Sequence, residues 1–190
     1  NNIKIIIDVM YKYSSAIEDD IKDIEKINKS SMAQVYDVDT FKQLVKNSIV
    51  AKLNGVVVGY AIMATLQADK EYLLPYSYKF KNTQVYSNLF SIAVDKDHRN
   101  KGIATTLMKL LLRANERHAV LLYCNKDNQI ARKLYEKYKF KLVVELPKYY
   151  EKNNVKNEPM SDEESSSAIS NDVSNDLSDA ILLVRMPKKK

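Results

Sequence analysis

Between residues 88 and 146, apolar runs and helical periodicity take turns, and this alternation restricts the fold more than any other feature of the chain. NLFSIAV (88–94) is short, continuous and apolar, the pattern of a buried strand. Ile103, Leu107, Leu110, Leu111 and Ala114 then recur at helical spacing, which predicts a helix starting near residue 101. AVLLYC (119–124) reads as another buried strand. Ile130, Ala131, Leu134, Tyr135 and Tyr138 mark a second amphipathic helix, with Arg132 and Glu136 spaced for an i,i+4 pair. KLVVEL (141–146) closes the series as a strand. Strands separated by helices need crossover connections, and these put helices on the faces of a sheet.

The flanking sequence extends this plan. IKIII (3–7) is predicted to be a short buried strand, and Ile17, Ile21, Ile24 and Ile27 carry one face of a helix. A second short helix is expected over TFKQLVKN (40–47), with Asp39 or Thr40 as its N-cap. IVAKLNGVVVGYAIMATL reads as a hairpin whose two β-branched runs meet at Asn54-Gly55, a strong turn signal. Residues 68–87 are polar and tyrosine-rich, as in a loop with some strand character, and AILLVRM (180–186) is the last strand. The order is β-α-α-β-β-β-α-β-α-β-β, a mixed α/β sheet expected to form a single domain over 1–190.

Charge divides the chain unevenly. Residues 151–178 carry seven acids and two lysines among Ser and Asn, too few apolar groups to offset chain entropy, and are expected to be a disordered insertion. Outside them stand 28 basic and 17 acidic residues, a net +11 against +6 for the whole chain. A basic body suits an anionic ligand such as a phosphate-bearing cofactor, or an RNA or ribosome surface. No apolar run approaches the roughly 18 residues of a membrane-spanning helix. The opening NNIKIIIDVMYKY lacks the order of a signal peptide. A single cysteine, Cys124, excludes an internal disulfide and favours a reducing compartment such as the cytoplasm. With only two histidines, His98 and His118, no zinc cluster is expected.

Chemistry concentrates in DHRNKGIATTLMKLLLR (97–113). A buried strand ending at Val94, a basic turn and a helix start form an arrangement that binds phosphate, because the first helical N–H groups lack partners and carry partial positive charge. Gly102 would let an anion approach the backbone, and Arg99 and Lys101 add charge. An ordinary strand-to-helix turn accounts for the same residues. Neither G-x-x-x-x-G-K-[ST] nor G-x-G-x-x-G is present.

LFSIAVDKDHRNKGIATTLMKLL resembles the acyl-CoA-binding motif of the GNAT acetyltransferases, whose R/Q-x-x-G-x-G/A loop is matched by Arg99, Gly102 and Ala104. NQIARKLYEKYKF resembles that family's next motif through Asn128, Ala131, Leu134, Tyr135 and Phe140. SMAQVYDVDTFKQLV and LPKYYEKN are similar to segments of the N-terminal (Nα) protein acetyltransferases. The resemblance implies the GNAT fold, a mixed, mostly antiparallel sheet of about seven strands with helices on both faces. It implies acetyl-CoA as donor, CoA as product and a protein or peptide N-terminus as acceptor. A small amine or a lysine remains the alternative acceptor, and a non-catalytic CoA-binding subunit the alternative role.

By the same resemblance, the backbone of Ile92, Ala93 and Val94 would hold the pantetheine arm, and an N–H near Ile92 would polarise the thioester carbonyl. Asn100, Lys101, Gly102, Ile103, Ala104 and Thr105, with Arg99, would surround the pyrophosphate. Asn128 would bond the pantetheine, cap its helix, or both. Tyr135 would be the general acid toward the leaving thiolate, and Tyr36, Tyr149 and Tyr150 would line the peptide. Asn88 and Tyr123 stand where related enzymes carry a base, and Tyr123 is the candidate. Lys139 replaces the family's glycine before Phe140, and a locally different turn is expected there. Cys124 is expected to be inert, and both histidines solvated. An auxiliary subunit or the ribosome is a candidate partner, and Lys188 to Lys190 could touch RNA. No membrane and no specific DNA contact is expected.

Overall fold

The computed structural model describes residues 10–31, 38–67, 85–147 and 179–187. They form a seven-stranded mixed sheet in the order β1-β2-β3-β4-β5-β7-β6: β1 (Lys12–Ser15), β2 (Ser48–Leu53), β3 (Val56–Gln67), β4 (Val85–Val94), β5 (Ala119–Asn125), β6 (Lys141–Leu146) and β7 (Ala180–Arg185). β1 to β4 pair antiparallel in succession, and β4 runs parallel to β5. The chain divides into two compact units, Asn1–Leu122 with Val184–Lys190, and Tyr123–Leu183.

In the first unit the predicted hairpin forms at Asn54 and Gly55, whose φ values of 52° and 85° are the left-handed pair such a two-residue turn demands. Alternation along β3 then serves two helices. Tyr60 and Ile62 join Ile24 and Ile27 of α1 (Ile21–Ser31) in one apolar cluster. Gly59 meets Ile103 at the start of α3 (Ile103–Ala114) on the opposite face. The helix predicted from Ile17 begins later, because Glu18–Asp20 is a 3-10 turn and Ile17 is its N-cap, 55% exposed. Asp20 is buried in that turn, where its carboxylate accepts from Ile17 N and meets Lys52 Nζ at 2.6 Å. The helix expected over 40–47 is α2 (Val38–Leu44) followed by a 3-10 turn, Val45–Asn47; Asp39 lies inside its first turn, bonded to Lys42. β1 had no counterpart in the reading of the sequence, and IKIII (3–7) lies outside the described residues.

In the second unit, α4 (Gln129–Lys137) buries Tyr135 but leaves Ile130 86% exposed. Five residues at about 100° each place Ile130 well off the stripe of Ala131, Tyr135 and Tyr138, so it does not belong to the buried face. Arg132 does not follow the expected pairing either: its guanidinium donates to Lys126 O at 3.1 Å.

Candidate functional site

The first unit carries a strand end, a basic loop and a helix start as one hydrogen-bonded piece. β4 contains a bulge: Ser91 faces Ile62 and Leu89 faces Met63, so Phe90 is the extra residue of the bulge. The parallel ladder to β5 runs only from Tyr86–Ala119 to Leu89–Leu122. Beyond it, Ser91 to Val94 have described ladder partners on the β3 side alone, with Ile92 against Ala61 and Val94 against Gly59. Alternation along the strand turns the main-chain groups of Ile92 and Val94 away from β3 and those of Ala93 toward it, and the Val94 carbonyl already accepts from Arg99.

After Val94 the chain is tied down at each step. Asp95 N donates to Val58 O, and the Asp95 carboxylate accepts from Asp97 N, capping the turn Lys96–His98. Arg99 folds back, Nε donating to Val94 O and Nη2 to Ser31 Oγ, each at 3.1 Å. Lys101 Nζ donates to Asp97 O. Both cations thus brace the loop as well as charging it. Asn100 and Gly102 take left-handed backbone, at φ 61° and 78°.

Gly102 is the N-cap of α3, and as glycine it has no side chain with which to satisfy the first turn; that turn also holds no acid. The first helical hydrogen bond runs from Thr106 N to Gly102 O, so the amides of Ile103 and Ala104 precede it. A Cβ on Gly102 would meet nothing within 4 Å. Gly59, by contrast, is where the helix start is seated. A Cβ there would stand 3.0 Å from Ile103 Cγ2 and 3.3 Å from both Ala93 O and Val94 Cγ2. Sequence reading missed this contact, since a glycine inside an apolar run signals close approach without naming the neighbour.

The second unit carries Tyr123, Asn128 and Tyr135. Asn128 is the N-cap of α4, its Oδ1 accepting from Ala131 N at 3.0 Å. Tyr135 is buried, its ring edge-on to Phe140 at 5.8 Å. Lys139 N donates to Glu136 O and Phe140 N to Tyr135 O, a Schellman ending with Lys139 at φ 65°. The locally different turn expected there does not occur: the helix ends left-handed, and the apolar contact between Tyr135 and Phe140 holds it closed. Tyr123 is half-buried on β5. Beside it Cys124 is buried, and burial pushes its thiol up to about 11, so it stays protonated and inert.

Several expectations are revised or fall elsewhere. Neither histidine is simply solvated: His98 is half-buried with Nδ1 3.2 Å from Tyr11 OH, and His118 Nδ1 lies 3.1 Å from Ser87 Oγ. Asn88 is only 8% exposed, and its Oδ1 has no hydrogen-bond partner among the described residues. Tyr36, Tyr149, Tyr150, the acidic segment 151–178 and Lys188 to Lys190 lie outside the described residues. Among the described residues no cluster of metal-ligating side chains forms, and no helix is long and apolar enough to cross a membrane.

Comparison with known proteins bears on the same segments. Residues 18–140 match the model of the acetyltransferase (GNAT) family. An N-alpha-acetyltransferase of Saccharolobus solfataricus is 33% identical over 146 residues, covering 70% of this chain and 81% of that protein. Among solved structures, Ard1 from Thermoplasma volcanium superposes with a TM-score of 0.67 at 20% identity, over 95% of this chain and 100% of that one. Arabidopsis thaliana NAA60, in complex with acetyl-CoA, gives 0.67 at 17% identity over 93% and 98%.

Proposed function

The chain belongs to the GNAT acetyltransferase family and is an acetyl-CoA-dependent acyltransferase, and on that footing we propose that its acceptor is the α-amino group of a protein or peptide N-terminus. The observation that carries this choice is the 33% identity to a protein named N-alpha-acetyltransferase.

The donor half of the proposal rests on fit. A pyrophosphate needs converging N–H donors, positive charge and room. The loop from Arg99 to Thr105 offers an uncapped helix start, two cations and a glycine with open space before it. The strand end from Ile92 to Val94, where the groups of Ile92 and Val94 face away from β3, would offer main-chain groups to the amides of a pantetheine arm. Acetyl-CoA, when bound, supplies the activated acetyl group. The Ile92 N–H would then stabilise charge on the carbonyl oxygen, and Tyr135 would give its proton to the departing sulfur. Asn128 spends its oxygen on capping, which leaves its amide N–H₂ for a ligand.

The acceptor arrives protonated. An α-amino group with a pKa of about 8 is roughly one-tenth neutral at neutral pH, so a modest base suffices, and Tyr123 is our candidate. On this reading the protein works in the cytoplasm, where free or nascent N-termini are available, alone or with an auxiliary subunit.

The test presents the full chain and acetyl-CoA with N-terminal peptides, N-terminally blocked lysine peptides and spermidine. CoA release is followed and the acetyl group located by mass spectrometry. Acetylation of α-amines above the others is expected. Turnover confined to lysine or spermidine would refute the acceptor assignment.

A further inference from the structure

Three polar side chains lie inside the apolar cluster under α1. Asn28 Nδ2 donates to Tyr60 OH at 3.0 Å, and Tyr60 OH lies 2.9 Å from Ser91 Oγ. Asn28 and Tyr60 are 0% exposed and Ser91 3%. Around them stand Ile24, Ile27, Phe41, Val45, Val50 and Ile62. Apolar residues of similar shape would serve stability there as well or better, because a buried polar network gains little net free energy even when satisfied. What such a network fixes is position.

The position it fixes is the bulge. Ser91 is the first residue after the bulge residue Phe90, and it precedes Ile92, whose N–H the proposed reaction uses. A bulge displaced by one residue would send every side chain between its old and new places to the opposite face. The pairs that flank it are Ile62–Ser91 and Met63–Leu89, and Ser91 is the one polar residue among them, the position a hydrogen bond can single out. Tyr60, opposite Ala93, reaches diagonally to Ser91 and binds it. Its ring is held edge-on by Phe41 at 6.4 Å, and its hydroxyl by α1 through Asn28.

We infer that Tyr60 is a positioning residue for acetyl transfer: with Asn28 and Ser91 it locks the β4 bulge and so aims the Ile92 N–H. The inference rests on the acetyl-transfer reading, but the geometry it invokes is testable without turnover. Removing one partner alone would strand the others and confuse misfolding with misplacement. The decisive variant is therefore the apolar triple Asn28→Leu/Tyr60→Phe/Ser91→Ala. It is expected to melt within a few degrees of the parent and to bind acetyl-CoA within about threefold. Its kcat should fall by roughly ten- to a hundredfold, the scale of a misplacement of about 1 Å. Amide exchange at Phe90 to Ile92 should accelerate at least tenfold, while exchange on α3 stays unchanged.

A folded triple variant with parental kcat, or with parental exchange at Phe90 to Ile92, overturns the inference. So does a loss spread evenly over melting temperature and all amides, which marks a purely structural network. If the parent acetylates lysine or spermidine instead of N-termini, kcat is read on that amine and only the acceptor assignment falls. If the parent acetylates no amine, that reading fails, and exchange at Phe90 to Ile92 still decides whether the triad holds the bulge.

Discussion

Two corners of this molecule ask the same thing of the backbone and answer with different residues. Gly102 opens α3 at φ 78° and Lys139 closes α4 at φ 65°. Both are exposed. A left-handed conformation costs a residue with a Cβ about 1–2 kcal/mol, and the chain accepts that cost at Lys139. At Gly102 the protein offers no steric objection to a Cβ either. Backbone strain alone thus fails to explain why one corner is glycine in a chain with only three. The difference fits the proposed donor site: on that reading the Lys139 corner serves the fold, and the Gly102 corner admits the pyrophosphate.

The comparison can be broken most severely at Gly102. Gly102→Asp should weaken acetyl-CoA binding about a hundredfold through like charge against the pyrophosphate. Its melting temperature should fall by only a few degrees, because the left-handed strain of a residue with a Cβ is partly offset by the N-cap oxygen that Asp supplies. Calorimetry showing parental affinity would put both corners in the same structural class. Tyr135→Phe separates fold from chemistry within the other corner. The ring still packs on Phe140 and the Tyr135 carbonyl still closes the helix, so stability and donor affinity should hold. The turnover number should fall about a hundredfold in steady-state assays, and an unchanged kcat would remove Tyr135 as general acid.

Smaller effects sharpen the contrast. Gly59→Ala overpacks the seat of α3 and should cost about 1–3 kcal/mol in denaturant melts, with a loss of donor affinity that a remote core change of equal cost would not cause. Lys139→Gly should be the mildest, a gain of about 1 kcal/mol or less and roughly 2–4 °C in melting temperature, with kinetics unaltered.

What the sequence made legible was whatever local rules encode. Asn54-Gly55 specified its own turn, and β6 falls on the predicted residues because its flanks break cleanly. The strand–loop–helix at 88–114 was readable for the same reason, although β4 begins at Val85, within the stretch read as loop, and α3 begins at Ile103, two residues later than expected. β1 was not, since KYSS is polar and mostly exposed and becomes a strand only by pairing with β2. Nor were the contact of Gly59 with Ile103, the triad of Asn28, Tyr60 and Ser91, or the return of Arg99 to Val94 and Ser31. Each joins residues whose partnership leaves no periodic trace. Lys139 misled in the opposite direction, because glycine is the usual choice for such a corner, and a Schellman ending with a sound apolar contact can hold another residue there.

The parallel ladder between β4 and β5 has a consequence in time. The β2–β3 hairpin joins neighbours across two residues and can close within about 1–10 μs. Tyr86 cannot meet Ala119 until the whole of α3 has been laid across, so this pairing waits on a long loop closure. During synthesis the β2–β3 hairpin therefore closes first, and β4 waits beside it without its parallel neighbour until residues 119–122 have cleared the ribosome.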